Sequence, residues 1–580
     1  MAIVFAVLNL FAQKSESNSL QIARKIADNV VNETIFALRD TKQKPVLDIQ
    51  VIDFPKIFKG DRVKQAFAIA NISVEKNIKL SFGVSYSQPI QIWINNKLKL
   101  NGSDIDKFYF KETAYSMFCF QDTFAVDLQK GMNEIIIMTS SESLPVIFLR
   151  ELTRPNEKVQ SRFLNFSSNY GGEFPWGFIS ADELRLTFAD KSNSQKDLID
   201  KLFNKNIISK LNVMFESETI IKELSLNHTS TFNKEAFTDW SYPNGILMMA
   251  IMELSKATGN ESYNLFVKKY CSFIRQNEAL FKKQYFVDHD LRTGCYRMFR
   301  MSMLDDAGAP ALPFAEVSIQ DKIHDYDSLL FASADYIMND QPRLKDGTFC
   351  RPEPEKRTIW ADDLFMSVPF LTRMAILKKD DRYFNLAAKQ IINFHKYLYN
   401  QDKKLYSHGW FSSDDKQSGI YWGRANGWIL WAESGFLSHL PRKNKYYNKV
   451  KKIFVNHIYS ILKYQDKDGM WHQVLDDKRS FEETSCTAMF IEAISQGIML
   501  GIINKKLSAN VFKAWTALKT KINPDGDVKD ISCGTGLGYN KKFYETRKRF
   551  DNDPRGLGAV ICAAIEVTHL ENYLSSNASF

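Results

Sequence analysis

The sequence predicts a mainly α protein: an (α/α)6 toroid, or six-hairpin barrel, preceded by a jelly-roll-like β-sandwich. Three observations lead there. Six stretches share one layout, a polar or aromatic loop opening a helix of small and apolar residues, and they recur roughly every sixty to seventy residues. Between them run helices with Lys and Arg on one face and aliphatics on the other. Ahead of them, the helical period gives way to short β-rich runs broken by turn residues.

Taken in order, residues 1–12 are almost wholly apolar and read as the remnant of a signal peptide, with a cut after Ala12. Export to a periplasmic or extracellular space is the expectation. Residues 17–40 hold an amphipathic helix with Ala23, Ile26, Ala27, Val30 and Val31 on one face. Residues 46–152 read as the sandwich. Its runs include Ile92-Trp93-Ile94 before Asn95-Asn96, and Glu134 to Met138 after Gly131. A linker spans 153–194, and the helical domain is expected over 195–580. The helix at 17–40 is a candidate for the first outer helix of the barrel, with a helix near 197–207 as its rival.

Composition narrows the function classes. The chain has 580 residues, 44% apolar, so it can bury large cores. Its net charge of +9 comes from 76 basic and 67 acidic residues, without a long Lys/Arg block or basic-aromatic interleaving. Nucleic acid is therefore a poor partner, whereas an anionic sugar suits a mildly basic protein. Seven cysteines with no C-x-x-C spacing predict buried free thiols, not a disulfide framework or a metal centre. No apolar run is long enough for a membrane span. No cofactor or metal is expected, and the oligomeric state is left open.

In such a toroid the nearly all-apolar helices form an inner ring and the half-polar ones an outer ring. All six inner helices run the same way, so their leading loops meet at one mouth. Trp240, Tyr242, Asp305, Asp306, Trp360, Asp362, His408, Trp410, Trp422, Arg424, Trp428 and Glu483 are expected to line it. Aromatic rings stack on sugar faces while carboxylates and an Arg orient the hydroxyls and charge.

The loops Trp360-Ala361-Asp362-Asp363-Leu364-Phe365-Met366, His408-Gly409-Trp410 and Trp422-Gly423-Arg424-Ala425-Asn426-Gly427-Trp428 resemble the unsaturated glycuronyl hydrolases. So do Gly469 to Asp477 running on to Glu483-Thr484-Ser485, Gly534-Thr535-Gly536 and Tyr544. The unsaturated rhamnogalacturonyl hydrolases of glycoside hydrolase family 105 are most similar, with family 88 more distant. The resemblance covers about 230 to 570. It implies an enzyme that removes a 4,5-unsaturated uronic acid from the non-reducing end of lyase-generated oligosaccharides, by hydrating the C4=C5 vinyl ether. It also implies Asp362 as proton donor and then base, Asp306 as the second carboxylate with Asp305 its near alternative, and His408, Arg424 and Trp428 as substrate-binding residues. The sandwich lies outside this stretch and resembles a galactose-binding-type jelly roll over about a hundred residues.

The residue types fit that chemistry. Protonating an enol ether at neutral pH needs an acid that keeps its proton, so burial beside Trp rings or near a second carboxylate is expected to raise Asp362. Arg424 offers a planar fork for the substrate carboxylate. Asp363 reads as a helix cap, Asp476 and Asp477 as turn carboxylates, and Glu483 as a ligand for loop N–H groups. Arg547 and Arg555 read either as contacts to an anionic aglycone or as surface charge. Pro310 and Pro313, close behind Asp306, are expected to displace its loop. Two other readings remain open: an (α/α)6 sugar epimerase or lyase, disfavoured by only nine histidines, and a non-catalytic glycan-binding protein.

Overall fold

The structure, a computed structural model, describes residues 17–42, 49–58, 63–103, 105, 120–141, 143–152, 161–164, 176–188, 195–203, 222–226, 236–287, 290, 293–352 and 357–576. The apolar leader, Cys119 and most of the expected linker lie outside them. The chain divides into two units, one of Met1–Arg39 with Leu224–Phe580 and one of Asp40–Glu223.

In the second unit, one sheet orders Ile49–Asp53, Val146–Glu151, Ile78–Tyr86 and Asp122–Leu128. The other orders Ser161–Leu164, Gln65–Val74, Gly131–Ser140, Ile90–Ile94 and Lys97–Gly102, with Gly177–Ser180 also on Gln65–Val74. Alternating residues divide between two cores, as the period of a strand requires. Ala68, Ala70, Ile72, Ile135 and Ile137 pack with Phe82, Val84 and Leu149 between the sheets. Phe67, Ile69, Ile136 and Met138 point the other way and are covered by Leu184, Leu198, Ile199 and Leu202. Here the structure differs from the sequence reading. The helix Gln195–Leu202 was expected to open the helical domain at 195, but it buries its apolar face on the sandwich, and the helical unit resumes at Leu224.

The helical unit contains α1 (Asn18–Glu33), α2 (Tyr242–Thr258), α3 (Glu261–Phe286), α4 (Leu304–Asp321), α5 (Asp327–Asp335) and α6 (Asp362–Lys378). It continues with α7 (Asp381–Leu398), α8 (Gly423–His439), α9 (Tyr447–Ile461), α10 (Thr484–Met499), α11 (Ser508–Leu518) and α12 (Pro554–Ser576). Helices α2, α4, α6, α8, α10 and α12 each pack on the next, and α12 returns to α2, closing the ring. The others lie outside it: α7, for instance, buries Phe384, Ala387, Ala388, Ile391, Phe394 and Leu398 along one stripe. Each of the Phe, Ile and Leu side chains contributes roughly 1.5–3 kcal/mol on leaving water. The remaining outer position is filled by α1, which packs on α12 and α2.

The inner helices approach closely because they are built of small residues. A Cβ on Gly308 would stand 2.0 Å from the Met366 carbonyl oxygen, and one on Gly245 would stand 2.2 Å from that of Ala309. Helix α4 runs through Pro310 and Pro313 without a break, so the prolines do not displace its start. Among the described residues, no helix is long and apolar enough to cross a membrane, and the six cysteines are free thiols.

Candidate active site

The inner helices start at Tyr242, Leu304, Asp362, Gly423, Thr484 and Pro554, so their first turns gather the loops read from sequence at one mouth of the ring. Asp362 is the first residue of α6, where the unpaired N–H groups favour an anion. Its surroundings come from a small antiparallel sheet, Thr358–Trp360 with Gly409–Phe411, continued by Lys416–Gln417. The Ala361 N–H donates to the His408 carbonyl at 2.9 Å and the His408 N–H to that of Ile420 at 2.8 Å. These bonds fix the imidazole beside the helix start.

The His408 Nε2 lies 3.0 Å from Asp362 Oδ2, and its Nδ1 lies 2.6 Å from the Tyr544 hydroxyl. Tyr544 in turn accepts the Gly538 N–H at 3.0 Å. These partners assign the tautomer: Nε2–H donates to the carboxylate and Nδ1 accepts from the phenol. The ring is fully buried, with Trp422 at 4.7 Å and Trp360 at 5.5 Å between centroids. Burial pushes the Tyr544 hydroxyl up, helped by the Asp362 charge, so it stays a donor.

Asp362 keeps 16% of its side chain exposed. Burial alone would raise its carboxyl, but the His408 contact, with Arg351 and Arg424 nearby, outweighs that and holds it below the ordinary carboxylate range. This corrects the expectation of a raised Asp362. Asp305 is raised instead, pushed up to about 7 by burial, against the pull of Arg351 and with the charges of Asp363, Asp362 and Asp306 adding to the rise; burial raises Asp363 as well, again against Arg351.

Asp306 is also corrected. It is fully buried, gripped by both arms of Arg300, with Nε at 2.9 Å and Nη2 at 2.5 Å, and it accepts the Ser302 N–H at 3.0 Å. It anchors the loop and its side chain has no exposed surface, whereas the Asp305 side chain is 21% exposed. Asp363 makes no cap. Arg351 donates to it through Nε at 3.0 Å and Nη2 at 2.6 Å, and through Nη2 to Asp305 at 3.0 Å. The Arg351 guanidinium also lies 4.2 Å from the Trp360 ring centroid. No pattern in the sequence marks Arg300 or Arg351: Arg300 ends the four-residue helix Arg297–Arg300 and Arg351 sits in a loop.

The other expected residues divide. Tyr242 is half-buried, 6.4 Å from Trp428 between ring centroids. Burial raises its hydroxyl, Arg555 and Arg424 oppose the rise, and Asp305 and Asp362 add to it, so these groups converge at this mouth. Trp428 packs against Phe365 at 4.9 Å and parallel to Trp431 at 5.9 Å, and Trp422 donates to Gln473 at 3.0 Å. Both are walls of the ring with almost no exposed surface. Trp240 is fully buried and donates to the Asp306 carbonyl at 2.6 Å, so it braces α4 and presents no sugar platform.

Arg424 differs most from its expected role. Its Nη1 and Nη2 donate to the carbonyls of Ser532 and Cys533, each at 2.6 Å, and it is 1% exposed. The fork grips backbone, and reaches the site through its field. Trp410 turns to Tyr397 at 4.8 Å and Asp415 at 3.1 Å. With Lys396, Lys416 and Gln417 they line an open cleft of about 460 Å³ that neither Asp362 nor His408 enters. Glu483 caps α10, accepting the N–H groups of Ser485 and Cys486.

The Glycosyl Hydrolase Family 88 model matches residues 216–571. Unsaturated rhamnogalacturonyl hydrolase YesR of Bacillus subtilis (strain 168) is 25% identical over 371 residues, covering 62% of this chain and 99% of its own. An unsaturated 3S-rhamnoglycuronyl hydrolase of Alteromonas sp. (strain LOR) is 26% identical over 217 residues, 36% of this chain and 51% of its own. A family 105 glycoside hydrolase structure from C. acetobutylicum ATCC 824 superposes with a TM-score of 0.51 at 24% identity, covering 57% of this chain and 95% of that one, which shows the shared fold.

Proposed function

The chain belongs to Glycosyl Hydrolase Family 88, and from that premise we propose that it is a glycosidase removing 4,5-unsaturated uronic acid from the non-reducing end of oligosaccharides. The observation that carries this reading is a pair of partly open carboxylates, Asp362 and Asp305, at the mouth of the ring, with one poised to be ionised and the other to hold a proton near neutrality.

Hydration of the vinyl ether needs one proton delivered to C4 and one taken from the water that adds at C5. The hemiketal so formed opens and releases the aglycone. A pair carrying a single proton meets both demands and returns to its starting state. Asp362 faces the alkene. The arriving uronate carboxylate and the loss of water favour its protonated form, while the His408–Tyr544 chain holds its orientation. Asp305, not Asp306, is the second carboxylate. The fields of Arg424 and Arg555, both acting at Tyr242, favour an anionic sugar there. Export remains part of this proposal on the strength of the apolar leader.

The test is incubation with lyase-generated oligosaccharides from several polyuronates, following the ultraviolet absorbance of the conjugated alkene and the released sugar. Loss of absorbance with release of the aglycone is expected. Binding without loss of the alkene would contradict the enzyme and favour a glycan-binding role.

A further inference from the structure

The loop residue Arg351 carries a role that the sequence does not suggest. Its backbone is tied to the strand leading into α6 by two bonds, its N–H to the Thr358 carbonyl at 2.7 Å and the Thr358 N–H to its own carbonyl at 3.1 Å. Its side chain is 5% exposed and spans the first turns of two neighbouring inner helices, Asp305 on α4 and Asp363 on α6. Trp360 covers one face of the guanidinium. A single planar cation therefore joins the helix that presents Asp305 to the helix that presents Asp362.

We propose that Arg351 is a positioning residue: a clamp that fixes the separation of Asp305 and Asp362 and sets the pH range over which that pair keeps its one proton. This rests on the hydrolase reading. Only a guanidinium fits, because the contacts need two parallel N–H groups on Asp363 and a further one on Asp305, which an ammonium cannot supply in fixed directions. The groups facing Asp305 are Arg351 from the loop, Asp362 and Asp363 from α6, Tyr242 from α2 and its neighbour Asp306. Among these described groups Arg351 is the cation. It opposes the rise of Asp305 that burial and the three other carboxylates cause.

The signs follow. Asp305 is raised, so its protonated form is present below its folded value and lost as pH rises through it. Arg351→Gln removes the opposing cation, so the alkaline limb of kcat/KM moves up, by about one pH unit or more. Asp363→Asn removes a like charge and leaves the guanidinium to Asp305, so the limb moves down. Arg351→Lys keeps the limb near its wild-type position while kcat falls roughly 10- to 100-fold with KM little changed, because the carboxylates are misplaced.

The experiment is the pH profile of kcat and KM for the full chain and these three variants, on the oligosaccharide that the wild type hydrates. If Arg351→Gln fails to fold, the opposite-sign shift in Asp363→Asn and the kcat loss in Arg351→Lys carry the test. Wild-type limbs in every folded variant, or an Arg351→Lys enzyme with wild-type kcat, would overturn the clamp. A wild type that hydrates no alkene overturns the hydrolase reading instead, and the two failures are told apart by that first control.

Discussion

Two inner helices of this ring open with adjacent aspartates, and in both the members of the pair have opposite fates. On α4, Asp305 is 21% exposed and Asp306 fully buried; on α6, Asp362 is 16% exposed and Asp363 almost fully buried. The inner member is held in each case by a buried arginine, Arg300 or Arg351. The outer member looks into the mouth. What differs is the balance at each: Asp362 meets the buried His408 and is held down, whereas burial pushes Asp305 up to about 7 against the pull of Arg351, with the neighbouring carboxylates adding to the rise. Repeating one dipeptide on adjacent helices thus yields two anchors, one carboxylate and one acid.

Asp362→Asn should lower the rate of alkene loss by about 10³-fold or more while the melting temperature stays near wild type. A variant that keeps its rate removes Asp362 from the chemistry. Asp306→Asn should act on the fold. It leaves Arg300 buried and short of its partner, at about 3–5 kcal/mol, to be read from urea unfolding. A neutral result there would mean that the anchor is dispensable.

Smaller effects sharpen the picture. Tyr544→Phe removes the hydroxyl that fixes the His408 tautomer and should cost roughly ten-fold in kcat, since Nε2 can then face Asp362 without a proton to donate. The kcat/KM profile should be bell-shaped. Its alkaline limb lies near 7, where the raised Asp305 loses its proton, and its acid limb lies below the usual carboxylate range, where the lowered Asp362 gains one. A single limb, or an alkaline limb well above 8, would detach Asp305 from the reaction.

Much of the fold was legible because the ring writes itself into the chain. Small apolar helices such as Tyr242–Thr258 and Thr484–Met499 must be covered on all sides, and their leading loops recur at a steady interval. Helix Gln195–Leu202 was misplaced because amphipathicity shows that a face is buried, not which core buries it. At the site, the sequence placed Asp362, His408 and Tyr242 at one mouth but could not choose between Asp305 and Asp306. One residue's shift along a helix turns a side chain by about 100°, and the partner that decides, Arg300, sits in a four-residue helix too short to show a period. The Arg424 fork was legible as a carboxylate receptor, yet the carbonyls of Ser532 and Cys533 that occupy it lie more than a hundred residues away.

The most direct measurement is a side-by-side determination of kcat for Asp305→Asn and Asp306→Asn on an unsaturated oligosaccharide, with each variant shown to be folded at the assay temperature. Asp305→Asn should lose about 10²-fold or more, and the folded fraction of Asp306→Asn should retain most of its turnover. The reverse ranking would contradict the account, because it would place the reactive proton on the carboxylate locked against Arg300.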